Sequence, residues 1–150
     1  MDSTAQTPDV STIPTLLFRV GQDLYGSKVT NAQEAIPLRK ATRVPGAPAF
    51  VRGLINVRGT IVTVIDLGTR LDETRPLADD GSILLVRQHG GDRVVGVVVD
   101  EVLDVRSLAI DEDATPSGAR GGMTRGLAMI DDTTVVILDL DALLSKVLLS

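Results

Sequence analysis

The chain contains no cysteine. A disulfide framework, a thiol nucleophile and a thiolate metal site are therefore excluded. Aromatic residues make up 2% of the 150 residues and tryptophan is absent, so there are few platforms on which nucleobases or sugar rings could stack. A net charge of −5 also argues against a nucleic-acid partner. The single histidine, His89, stands between Gln88 and Gly90 with no second ligand evident, and reads as a solvated turn residue. No apolar run approaches the roughly 20 residues needed to span a bilayer; the longest, residues 94–99, stops at Asp100-Glu101, so direct membrane insertion is not expected. The opening MDSTAQTPDVSTIP has neither the basic start nor the apolar core of a secretion signal. The expected compartment is the cytoplasm.

Catalytic groups are equally sparse. Asp66 and Asp139 could be imagined as a carboxylate pair, but each precedes a leucine at the end of a β-like run and reads as a helix cap. The glycines at 118–122 are followed by no Gly-Lys-Ser/Thr, so they do not form a phosphate loop. Asp111-Glu112-Asp113 is too short and irregular for a calcium loop. The residues point to no enzyme, no cofactor and no metal.

What the chain does hold is aliphatic. Hydrophobic residues amount to 43%, and a chain of this length forms one ordinary domain that buries about two-thirds of its unfolded surface. The most organised stretch is residues 50–71, FVRGLINVRGTIVTVIDLGTRL. β-Branched residues flank Arg58-Gly59 on both sides, which predicts strand, tight turn and strand with Arg58 at the tip. Gly59 suits the positive φ of such a turn. Asp66 can cap a short helix that follows.

This pattern returns 73 residues later. Gly53-Leu54 falls on Gly126-Leu127, Thr60 on Thr133, Val62 on Val135, Asp66-Leu67 on Asp139-Leu140, and Leu71 on Leu144, seven identities over nineteen positions. A hairpin-like stretch precedes each copy, at residues 16–29 and 83–99. The spacing predicts one supersecondary unit used twice, hence two similar β lobes.

In chain order, residues 1–14 read as a disordered tail. Lobe 1 spans about 15–71, the charged segment 72–81 connects, and lobe 2 spans about 82–150. Within lobe 1, Thr30-x-x-Gln33 has the form of a capping box and predicts a helical turn carrying Glu34 and ending before Pro37. Residues 38–44 read as a strand. In lobe 2, strands are expected at 82–88, 93–99, 102–107, 125–130 and 133–138, and 114–122 reads as flexible. The C-terminal helix, residues 140–149, places Leu140, Leu143, Leu144, Val147 and Leu148 on one face. Residues 16–71 carry eight Lys/Arg against three Asp/Glu, a net of +5, whereas residues 82–150 carry six against eleven, a net of −5. Lobes of opposite charge suit head-to-tail contacts, and Arg39, Lys40 and Arg43 are the candidate contact cations of lobe 1.

The run VRGLINVRGTIVTVIDL at residues 51–67 resembles the central signature of the CheW family of bacterial chemotaxis coupling proteins. Gly53, Asn56, Arg58-Gly59, Ile61-Val62 and Ile65-Asp66-Leu67 fall on signature positions, and the likeness continues through Gly96–Asp100, Val102, Asp104-Val105 and residues 126–144. The resemblance implies a mainly β fold of two five-stranded SH3-like barrels with short helical turns and a C-terminal helix. It implies a non-catalytic adaptor joining the cytoplasmic tips of membrane chemoreceptors to a CheA-type histidine kinase, with ring assembly among CheW-like domains. The family's receptor-contacting positions match Ala32, Glu34, Gly53, Arg58, Val102 and Val105. Small and apolar residues among them suit a groove for a receptor helix tip, with Arg58 and Glu34 fixing its register. For Val102 and Val105 core packing is the other reading. At Gly53, close approach by the partner is expected to make any side chain obstruct binding more than folding.

The chain departs from the family at Thr63, where proline is usual, at Gly68, where arginine is common, at Gly26-Ser27, where larger apolar residues stand, and at Ala32, usually valine. Two other readings stay open. One is a stand-alone CheW-like regulatory domain of a related two-component pathway; the other is a small-ligand-binding β protein, which requires a polar cluster that the sequence does not display.

Overall fold

The structure is a computed structural model, and it describes residues 11–29, 32–72, 74–87, 93–114 and 123–145. Most of the tail expected at residues 1–14, the His89 turn, the glycines at 118–122 and the end of the C-terminal helix lie outside the described residues. Among the described residues ten strands and two short helices follow in order: β1 Thr12–Val20, β2 Asp23–Lys28, β3 Ala32–Pro37, β4 Val51–Val57, β5 Thr60–Asp66, α1 Leu67–Leu71, β6 Ser82–Arg87, β7 Val94–Val99, β8 Glu101–Ala109, β9 Thr124–Ile130, β10 Thr133–Leu138 and α2 Leu140–Ser145.

The strands form two five-stranded sheets, β9-β10-β2-β1-β8 and β3-β6-β7-β5-β4. In each, one hairpin lies parallel to the second strand of another, β10 against β2 and β5 against β7. An antiparallel edge strand, β8 or β3, completes the set. Each sheet also curls until the segment after its edge strand meets the far hairpin, through Asp111↔Leu127 in one and Thr42↔Leu54 in the other. Two like barrels result, as the repeat predicts.

Their membership differs from the expected division at residues 72–81. The central lobe is made of β3–β7, residues 32–99, and the terminal lobe of β1, β2 and β8–β10. Each half of the chain is indeed hairpin, edge strand, hairpin and helix, but each half sends its first hairpin to the other half's lobe. The reason is the parallel pairing, which joins strands distant in sequence. The 73-residue repeat shows that two units exist; it does not show which hairpin completes which barrel.

The exchange makes the lobes share a core. Leu16, Phe18 and Val20 of β1 pack with Leu84 and Val86 of β6, Val95 and Val97 of β7, and Leu140, Leu143 and Leu144 of α2. The intervening residues face other clusters: Ile83, Leu85 and Val98 join Val62 and Val64 inside the central barrel, and Leu17 joins Val135 and Ile137 inside the terminal one. Burial on both faces explains why the run at 94–99 is apolar without alternation. Among the described residues no helix is long and apolar enough to cross a membrane.

Two local expectations are overturned. Ala32–Pro37, expected as a helical turn around Glu34, is β3, because five residues paired with β6 outweigh a local capping pattern. Pro37, which has no N–H to donate, ends that edge strand. Residues 38–44, expected as a strand, pair only at Thr42. Most of this segment is exposed; Leu38 and Ala41 pack against the central barrel's core, but apart from Thr42 the segment finds no strand to ladder with.

The repeat is carried into fine detail. Asp66 accepts a hydrogen bond from Thr69 N at 3.1 Å and Asp139 from Ala142 N at 3.1 Å, so both are helix caps. Arg52 lies 3.5 Å from Asp66 and Arg125 lies 3.8 Å from Asp139. The turn residues Arg58 and Gly59 have φ of +50° and +87°, and Asp131 and Asp132 have +46° and +69°. One difference is large: Asp66 is 3% exposed and its second oxygen accepts Ala78 N at 2.8 Å. Arg52 donates to Ala78 O, and Thr69 Oγ1 to Arg75 O. The connection is thereby strapped onto the central lobe.

Candidate functional site

The hairpin β4–β5 displays Arg58. Both turn residues hold positive φ, the geometry whose twist matches the flanking strands, and Asn56 Oδ1 accepts Gly59 N at 2.8 Å. The Arg58 guanidinium reaches Glu34 on β3, with Nη1 3.5 Å from Oε2 and Nη2 on Oε1. The Arg58 side chain is 69% exposed. An ion pair so open to water stabilises the fold by at most about 1 kcal/mol; its effect is to hold a planar five-donor group in a fixed direction.

Two bulges aim the other candidates. In β3, Ala32 lies opposite Val86 and Glu34 opposite Leu85, with Gln33 as the extra residue. Residues 32 and 34 would otherwise share a face. The bulge instead turns Ala32 to the inter-lobe core and leaves Glu34 facing the hairpin tip. In β8, Val102 lies opposite Phe18 and Val105 opposite Leu16, two β1 residues on one face. The extra β8 residue therefore puts both valines on the inter-lobe side, although three positions separate them. Val102 packs against the shared core, as the core-packing reading expects, whereas Val105 is 48% exposed. Leu103 beside it is also open, as are Ile61 and Met129.

The floor beneath these valines runs in two rows, Tyr25–Phe18–Val102 and Ser27–Leu16–Val105. The Tyr25 and Phe18 rings are stacked with centroids 6.3 Å apart. Burial pushes the Tyr25 hydroxyl above its ordinary pKa of 10.0; Asp23 adds to the rise and Arg75 opposes it. The Ser27 hydroxyl is buried with no hydrogen-bond partner among the described residues.

The structure thus brings Arg58 and Glu34 into contact and sets Ala32 and Val102 against one cluster. Gly53 is a correction. It is buried at φ +137°, and a Cβ there would strike the carbonyl of this chain's own Thr42, which accepts Leu54 N at 2.9 Å. The close approach that requires glycine is internal, and Gly126 is approached in the same way by Asp111. Arg39, Lys40 and Arg43 lie exposed on the segment after β3 and enter no ion pair among the described residues. No group of three potential metal ligands occurs among the described residues. The sequence reading missed the Arg52–Asp66 link; its signal was Arg125 at the 73-residue offset, one position outside the matched window.

Comparison with known proteins decides what this arrangement is. The family model for the CheW-like domain matches residues 14–148. The chain belongs to the CheW-like family. It is 33% identical to the chemotaxis protein CheW of Klebsiella aerogenes over 135 residues, covering 87% of this chain and 81% of that protein. It is 30% identical to the Bacillus subtilis CheW, covering 87% and 86%. The solved structure of the scaffolding protein TtCheW from Thermoanaerobacter tengcongensis superposes with a TM-score of 0.73 at 30% identity, covering 88% of this chain and 92% of that one. The two barrels are the SH3-like lobes of the CheW fold, and the protein is a non-catalytic chemotaxis coupling protein.

Proposed function

We propose that this CheW-like protein joins the cytoplasmic tips of membrane chemoreceptors to a CheA-type histidine kinase, working in the cytoplasm at receptor arrays. The observation that carries the reading is the Arg58 guanidinium, displayed on a rigid turn and oriented by Glu34 without contributing much to the fold. Ala32, Val102 and Val105 supply the adjoining apolar surface, and a helical receptor tip fits a groove of this kind through apolar anchors with a charged group fixing register. Gly53 serves the site from beneath by shaping the hairpin.

The kinase side is assigned to charge. Redrawn by lobe, residues 32–99 carry nine Lys/Arg against seven Asp/Glu, and residues 11–29 with 101–145 carry five against ten. The polarity survives the exchange of hairpins, although the basic excess is smaller. Arg39, Lys40 and Arg43 are the open cations of the central lobe and are assigned to contact with the kinase or with the acidic lobe of a neighbouring CheW-like unit in a ring. Exposed charges are screened over about 8 Å at physiological ionic strength, so kinase affinity should fall as salt rises and fall further on reversal of all three cations. Affinity flat in salt and indifferent to those reversals contradicts this assignment. A pull-down from cell extract with this protein as bait tests the coupling itself. Recovery of a CheA-type kinase together with chemoreceptors is expected, and recovery of neither overturns it.

A further inference from the structure

The polar cluster that the sequence does not display is assembled by folding, away from the Arg58 hairpin. The strap residues 75–80, Arg19 of β1 and Asp100 at the β7–β8 corner line a cleft of about 480 Å³. Within it Arg75 is held in an unusual way. A Cβ built on Gly21 would stand 3.3, 3.4 and 3.6 Å from its Nη1, Nη2 and Cζ, so the Nη side of the guanidinium lies toward Gly21. A Cβ on Gly68 would stand 3.1 Å from Cζ and Nη1. The group is thus packed between the backbones of the two lobes. No hydrogen bond or ion pair from this guanidinium occurs among the described residues.

The remaining charges define what the cleft can take. Arg19 is engaged by Gly21 O at 2.8 Å, Glu101 at 3.3 Å and Asp100 at 3.6 Å, and Asp100 also accepts Gly21 N at 2.6 Å. Those groups satisfy one another. What is left is one planar cation, Arg75, whose charge also reaches the Tyr25 hydroxyl, and two carboxylates on the strap, Asp79 and Asp80, of which Asp80 spends one oxygen on Gly81 N at 2.8 Å. A simple anion is repelled by the two aspartates and a simple cation by Arg75. A ligand carrying both charges on a short frame meets neither penalty, and guanidinium is the side chain best shaped for a carboxylate. Pro76, Leu77 and Ala78 add an apolar wall, with Leu77 40% exposed. The volume falls in the range of small-molecule sites.

We propose that this cleft binds a small zwitterion, an α-amino acid or a dipeptide with free termini. The carboxylate lies on Arg75, the ammonium faces Asp79 and Asp80, and an aliphatic side chain rests on Leu77. The proposal does not depend on the assignment of the Arg58 surface.

The test is a backbone-amide NMR titration of the full chain with L-leucine, leucyl-leucine, N-acetyl-L-leucine and L-leucinamide. Saturable shifts at Gly21, Gly68 and Ala78 are expected with leucine or the dipeptide, and the tighter of the two names the source. Each blocked form should bind at least about tenfold more weakly, because it forfeits one set of charge-assisted hydrogen bonds. Arg75→Gln should abolish the shifts, and Arg75→Lys, a point charge without the fork, should weaken them. The proposal is overturned by the absence of saturation with either zwitterion at tens of millimolar, by N-acetyl-leucine or leucinamide binding as tightly as leucine, or by unchanged binding in Arg75→Gln. If that variant does not fold, the blocked ligands on the natural chain decide alone.

Discussion

Two glycines in one hairpin separate the demands of backbone and neighbour. Gly59 has φ +87° with nothing within 4 Å of an added Cβ, so Gly59→Ala should cost about 1 kcal/mol through backbone conformation alone. Gly53 adds a collision with the Thr42 carbonyl, so Gly53→Ala should cost about 2 to 4 kcal/mol. Urea unfolding of both variants checks the order, and equal losses would contradict it. Tyr25 permits a second measurement because it is the only tyrosine in the chain. Its folded pKa is raised above the ordinary 10.0, so the stability it contributes is complete below pH 10 and is lost as pH rises from there through the folded value. Phenolate absorbance should therefore titrate later in the native than in the unfolded protein. The alkaline loss of stability should shrink in Tyr25→Phe; an identical loss would show that the tyrosine is not its source.

At the level of elements, the two aspartate caps look alike in sequence and differ in burden. Asp139 serves its helix and a partly exposed Arg125, so Asp139→Ala should cost about 1 kcal/mol. Asp66 also holds Arg52 and the strap through Ala78 N, so Asp66→Ala should cost about 3 kcal/mol or more by leaving a mostly buried guanidinium unpaired. Thermal unfolding of the two variants compares them directly, and equal losses would mean that the strap is held by other contacts. Both caps and the Arg58 tip were legible because they depend on neighbours in sequence. β3 was not, since Thr30-x-x-Gln33 carries a local helix signal and only the distant β6 makes Ala32–Pro37 a strand. The same limit hid the bulges that aim Ala32, Glu34, Val102 and Val105, because a bulge is a relation between two strands. The Arg75 cleft was hidden for a like reason, as its residues come from β1, the strap and the β7–β8 corner.

For the whole molecule, the exchange of hairpins ties the lobes together through one core. On the exposed tip of the β4–β5 hairpin stands a cation whose removal the fold should tolerate. Arg58 holds φ +50°, a region that asparagine occupies more readily than arginine, so Arg58→Asn keeps the turn while deleting the guanidinium, and Arg58→Glu reverses it. The decisive measurement is the affinity of the natural chain and both variants for a purified cytoplasmic receptor fragment, with the thermal midpoint and kinase affinity recorded alongside. The account predicts receptor binding weakened about tenfold or more, more severely by Glu than by Asn, with midpoint and kinase affinity nearly unchanged. Receptor binding that survives both substitutions, or that disappears only because the protein unfolds, would contradict it.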